Sequence, residues 1–139
     1  MKKSAMRYLA LATVAATGLA VAEARLSVND IMVSIVTPAT NTLWGADDPQ
    51  SDAEWQSLEE AAVAVIAATS LITDGGAGPS DKEWAADPGW QGYAATMMKA
   101  AEDARAAAKA QDFDALMQAM DEIYPPCEEC HQAFHPGFQ

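Results

Sequence analysis

Cysteine and histidine are scarce in this 139-residue chain: two of each, with both cysteines, Cys127 and Cys130, close to the carboxyl terminus. Whatever thiol chemistry the protein has is therefore confined to one place. Basic residues are also few, 8 against 20 acidic ones, for a formal net charge of -12 at pH 7. Nucleic acid is a poor partner for such a chain, because phosphate binding needs a basic surface. No apolar run reaches the roughly 20 residues of a membrane-spanning helix. There is no internal repeat, and no alternation of strand and helix of the βαβ kind. What is abundant is alanine, in long runs broken by single charged residues, which favours helices over strands. Half of the residues are apolar, enough for one modest domain with a real core and too many for a disordered chain. The expected fold is all-α.

The amino-terminal segment stands apart. Lys2, Lys3 and Arg7 precede an uncharged run of small and apolar residues from Tyr8 to Val21, and Ala22-Glu23-Ala24 offers a cleavage site before Arg25. This is the pattern of a secretory signal peptide over 1–24, with a domain over 25–139. Cleavage after Ala22 is a second possibility, and an uncleaved anchor is the alternative reading. Because no cysteine follows the apolar run, nothing suggests lipid attachment. Cutting after Ala24 removes three basic residues and Glu23, leaving 5 basic and 19 acidic residues and a formal charge of -14. Such a charge can steer the protein toward a basic partner or serve only as a solvated exterior.

Four helical stretches are predicted in the remaining chain. The first starts at Ser27-Val28-Asn29-Asp30, which resembles a capping box, and carries Val28, Met32, Ile35, Ala39 and Leu43 on one stripe. Pro38 lies inside it and should kink it, since it has no N–H for the Ser34 carbonyl. The second follows the capping box Ser51-Asp52-Ala53-Glu54, with Trp55, Leu58, Ala62, Val65, Ile66 and Thr69 inward and a stop at Asp74-Gly75-Gly76. Residues 75 to 87 read as a loop from which Trp84 folds back onto the helices. Asp87-Pro88 caps the third helix, with Trp90, Tyr93, Met97, Ala101, Ala104 and Ala108 inward. The fourth begins near Asp112, with Phe113, Leu116, Met117 and Met120 on one face. Pro125-Pro126 should break or kink it, with Pro126 opening a short segment that carries Cys127 to Phe134. Short loops between four such helices imply an antiparallel up-down-up-down bundle.

Cys127-Glu128-Glu129-Cys130-His131 carries the chemistry. C-x-x-C-H is the attachment signature of c-type haem: two thiols one helical turn apart reach the two vinyl groups, and the next residue offers its imidazole to the iron. A thioredoxin-like redox pair, a zinc site from Cys127, Cys130, His131 and His135, and a plain disulfide are the alternatives. The first lacks its βαβ setting. In the second, the adjacent Cys130 and His131 would have difficulty sharing one tetrahedral ion.

A helical bundle with C-x-x-C-H near its carboxyl terminus resembles the cytochrome c′ family, closest to its low-spin, six-coordinate members. The resemblance spans the whole chain after the leader: a methionine in the first helix, Trp90 opening the third, and the haem motif in the last. It implies one covalently attached haem c on the last helix, with a methionine early in the first helix as second axial ligand. Met32 in Asn29-Asp30-Ile31-Met32-Val33 matches that position, and it falls on the predicted inward stripe; a space-filling core methionine is the plainer reading. Met97, Met98, Met117 and Met120 are assigned to packing, and Trp44, Trp55, Trp84 and Trp90 to the core. His135 is assigned to the solvated helix end or to a contact with His131. The sequence departs from the family at Pro125-Pro126 and at His135-Pro136.

The resemblance implies an exported, periplasmic one-electron carrier and not an enzyme, with redox proteins as partners, a basic docking surface among them being one possibility. It would be a monomer or homodimer. If Met32 were only packing, the same resemblance would imply a five-coordinate iron that binds or senses a small gas such as nitric oxide. A haem enzyme would need a polar distal constellation, which the sequence does not offer.

Overall fold

The computed structural model describes residues 24–135 and Gly137. The predicted leader up to Glu23, and Pro136 of the His135-Pro136 pair, lie outside the described residues. Among those described, every regular element is helical and none is a strand.

The first helical stretch runs unbroken through α1 (Val28–Ile31), a π-helical turn (Met32–Val36) and α2 (Thr37–Trp44). Its capping box forms as the sequence implies, with the Ser27 hydroxyl accepting from the Asp30 N–H at 3.1 Å and the Asp30 carboxylate accepting from the Ser27 N–H at 3.0 Å. Its buried stripe is not the predicted one. Val28, Ile31, Val36, Ala39, Thr40 and Leu43 are buried, whereas Met32 and Ile35 are only half-buried. Ile31 and Val36 stand five apart, one more than the α-helical spacing of a shared face, and the π turn supplies the extra residue: the Thr37 N–H donates to the Met32 carbonyl. Pro38 favours this winding. In a continuous α-helix its ring would press on the Ser34 carbonyl and leave it unbonded. The expected kink thus takes the form of a wider turn, with Pro38 as second residue of α2.

α3 (Asp52–Thr73) starts at Ser51, whose hydroxyl accepts from the Glu54 N–H. The Glu54 carboxylate accepts from the Ser51 hydroxyl at 2.8 Å and reaches back to the Gln50 N–H at 2.9 Å. These two bonds, the hydroxyl first, hold its carboxyl below the ordinary value of 4.5. A carboxyl with a depressed folded-state pKa contributes stability above its ordinary value and loses it as pH falls through the folded value. The urea midpoint of the wild type should therefore fall more steeply than that of Glu54→Gln as pH drops below 4.5. Equal slopes would mean that the box does not form in solution.

The stretch predicted as loop contains a short helix, α4 (Asp81–Ala85), and a feature that the sequence did not announce. Asp81 is 4% exposed, and one carboxylate oxygen accepts from the Val28 N–H and from the Gly78 N–H, each at 2.8 Å. The Leu26 carbonyl accepts from the Ala77 N–H at 2.9 Å in the same seam. A Cβ on Gly76 would stand 2.6 Å from the Val28 nitrogen, so the loop can approach this closely only as glycine.

α5 (Pro88–Ala110) begins where predicted, with the Asp87 carboxylate accepting from the Gly89 N–H at 2.7 Å. Its predicted stripe is buried except for Tyr93, which is half-buried. α6 (Phe113–Phe134) opens at Asp112 and continues through Pro125 and Pro126 as one helix, so of the break or kink that the sequence implied, the break does not occur. The two prolines withdraw N–H groups from the carbonyls of Asp121 and Glu122 one turn earlier, and both of those residues are exposed to water. The helix can therefore tolerate the loss. Alanines 100, 101, 104, 107 and 108 of α5 are buried, and their small side chains let α3 and α6 pack closely on either side; the first stretch packs on α3.

Candidate functional site

Residues 127, 130 and 131 stand at i, i+3 and i+4 of α6, hence on one face. That face forms one wall of a cavity of about 390 Å³, a size typical of small-molecule sites. Cys127, Cys130 and His131 all line it. Met32, about a hundred residues earlier in the chain, lines it too. Four side chains nominated from two distant parts of the sequence are thus brought to one space.

The other walls explain how it is held open. α5 contributes Trp90, Tyr93, Ala94 and Met97, and α3 contributes Ile72. α2 gives Thr37, Thr40, Asn41 and Trp44, and α6 adds Glu128, whose carboxylate is the one acidic group of a largely apolar lining. The Thr40 hydroxyl is already committed, donating to the Val36 carbonyl at 2.9 Å. At one end, the Trp90 indole N–H donates to the Ile72 carbonyl at 2.9 Å, and Phe134 stands edge-on to Trp90 with ring centroids 5.2 Å apart. Trp84 stacks on Trp90 at 5.9 Å. This aromatic cluster anchors the last turn of α6 and, through it, His131 three residues before Phe134. At the other end, Trp44 and Tyr124 meet edge-on at 6.5 Å while remaining 44% and 58% exposed. The assignment of Trp44 to the core is corrected accordingly: its position in the last turn of α2 places it at the rim. Trp55 and Trp90 are buried as predicted, and Trp84 is half-buried.

Both thiols are free and half-buried. The Cys127 thiol donates to the Ile123 carbonyl at 3.2 Å, and its sulfur lies 4.0 Å from that of Met97. Burial pushes the Cys127 thiol up, and burial with the neighbouring Cys127 pushes Cys130 up to about 11. Neither is the exposed, low-pKa thiolate of a dithiol redox catalyst. Burial, and then the nearby His135, lower the pKa of His131, so its imidazole is neutral at pH 7 and keeps a lone pair for a metal. His135 is exposed at the end of α6, with its ring centroid 6.3 Å from that of His131. No group of three or more His, Cys, Asp or Glu among the described residues is arranged to hold a metal ion, so the cysteines and histidines do not converge as a zinc site would require.

Comparisons with protein-family models, with curated proteins and with solved structures returned no match. The chemistry of the cavity must therefore be judged on its own residues. An apolar cavity with two thiols and an imidazole on one wall and a thioether on another can take a flat, largely apolar group, bond it covalently and ligate a metal within it. Of the other methionines, Met97 and Met120 are buried, while Met98 and Met117 are half-buried. Met97 alone among these four also lines the cavity.

Proposed function

We propose that this chain is an exported one-electron carrier, a monohaem c-type cytochrome of the cytochrome c′ kind built as an antiparallel four-helix bundle. Cys127 and Cys130 would hold the haem covalently, and His131 and Met32 would be its axial ligands. The observation that carries this reading is the convergence of these four side chains on one apolar cavity. The leader-like sequence of residues 1–24 supports export to the periplasm. Among the described residues, no helix is long and apolar enough to cross a membrane.

Bound there, the haem would supply a centre that changes oxidation state by one electron. The chain's own groups have separate tasks. The Cys127 and Cys130 sulfurs keep the group from dissociating, and Phe134, packed against Trp90, fixes the turn that presents His131. With His131 and Met32 both holding its metal, the group would offer no open position to a substrate, so an enzymatic activity is not expected. The largely apolar lining would favour the less charged oxidation state, and the Glu128 carboxylate would oppose it.

Trp44 and Tyr124, exposed at the rim, would be the nearest protein groups to a docked partner. Asp121, Glu122, Glu128 and Glu129 flank Tyr124 in sequence, and these charges suit a basic redox partner. Electron transfer to such a partner should slow steeply as salt rises past about 0.1 M, where the screening length is near 10 Å. A salt-independent rate would mean that the charges are only a solvated surface.

The direct test is an absorption spectrum of protein made with a haem-attachment system, oxidised and reduced. A low-spin haem spectrum is expected. A high-spin spectrum would favour gas binding at an open sixth position, and absence of haem would end the proposal.

A further inference from the structure

The one π-helical turn among the described residues begins at Met32, on the wall of the cavity. We propose that this turn, enforced by Pro38, is what takes the Met32 thioether off the core stripe and aims it into the cavity, making Pro38 a positioning residue for the axial bond. The inference rests on the reading of Met32 as a ligand.

In an uninterrupted α-helix Met32 would share a face with Val28, Ile35, Ala39 and Leu43, and its side chain would fill space against α3. Instead Ile31 and Val36 join Val28, Ala39 and Leu43 in the core, and Met32 sits half-buried at its edge while lining the cavity. The angular arithmetic shows the size of the effect. Successive residues of an α-helix are about 100° apart. Nine steps from Met32 to Asn41 would set the two about 180° apart, on opposite faces. The π turn absorbs roughly one residue, and eight effective steps bring them to about 80°. Met32 and Thr37 similarly close from about 140° to about 40°. Met32, Thr37 and Asn41 all line the cavity, as the second set of angles requires and the first forbids.

Pro38 is the residue that disfavours rewinding, because an α-helical path would drive its ring into the Ser34 carbonyl. The core sets the register on both sides, through Val28 and Ile31 before the turn and Ala39 and Leu43 after it.

The test uses the haem-loaded protein and two variants. Pro38→Ala restores an N–H and removes the ring, so the helix should relax toward α geometry and at least half of the haem should become high spin. The Thr37 N–H should change its acceptor from the Met32 carbonyl to that of Val33, read by couplings across the hydrogen bond or in a crystal structure. Adding deletion of the exposed Ser34 removes the surplus residue. A regular α-helix then places Ile31, Val36 and Met32 correctly, and low spin should return. A role for Pro38 in stability alone predicts that the deletion makes matters worse. Pro38→Ala that stays fully low spin with Thr37 still bonded to Met32 would overturn the inference, as would a double variant that stays high spin. A high-spin wild type would remove the ligation reading instead, and the Thr37 acceptor would still report whether Pro38 holds the turn.

Discussion

Met32→Ala is expected to convert a low-spin haem protein into a high-spin one. With the thioether present, carbon monoxide must first displace sulfur, so binding to the ferrous wild type should be slow or weak. Without it the sixth position is open, and the association rate should rise by more than about tenfold. The reduction potential should fall, since a thioether favours ferrous iron. Fold loss is a small complication: Ala is a strong helix former, and Met32 is only half-buried. The penalty should lie below the roughly 2–5 kcal/mol of a fully buried methionine truncation. A variant that stays low spin would point to another sulfur, and Met97, which lines the same cavity, is the first to examine. Stopped-flow mixing with carbon monoxide and a redox titration distinguish these results.

The second large effect concerns attachment. After denaturation the wild type should retain its haem on a gel stained for peroxidase activity, and Cys127→Ser/Cys130→Ser should lose all of it. Each single variant should keep haem through the remaining bond. Serine can take over the Cys127 hydrogen bond to the Ile123 carbonyl, 3.2 Å in the parent, so the turn itself should survive. Haem that remains with the denatured double variant would exclude these thiols as its attachment points.

Much of the framework was legible because its signals are local. Ser27, Ser51, Asp87 and Asp112 each cap a helix where the side chain and its spacing imply. The pentapeptide at 127–131 is likewise local, and Cys127, Cys130 and His131 share a helical face by spacing alone. The misreadings arise where a tertiary choice overrides a local rule. A regular 3.6-residue period put Met32 and Ile35 in the core, but the π turn over Met32–Val36, just before Pro38, leaves both half-buried at its edge. Two prolines in α6 imply a break or kink with a new helical segment from Pro126, yet the carbonyls they leave unbonded belong to exposed residues, and one helix packed on α5 runs through. Asp81 escaped notice because one acid in a Gly- and Ser-rich loop has no pattern. One of its two partners, Val28, lies 53 residues away. Trp44 was assigned to the core with the other tryptophans at helix ends and inner faces, whereas in the last turn of α2 it stays 44% exposed.

That distant bond also has a mechanical meaning. Val28, held by the Asp81 carboxylate, is four residues before Met32, about 6 Å along the axis at 1.5 Å per residue. The segment between them is a short lever with a fixed pivot. Any slip at the pivot travels almost undiminished to the sulfur, because so few bonds intervene to absorb it. If Met32 binds the metal as proposed, a side chain in a loop that does not line the cavity would thus help set the strength of that bond, and a change at residue 81 would be felt as a weakened grip at residue 32.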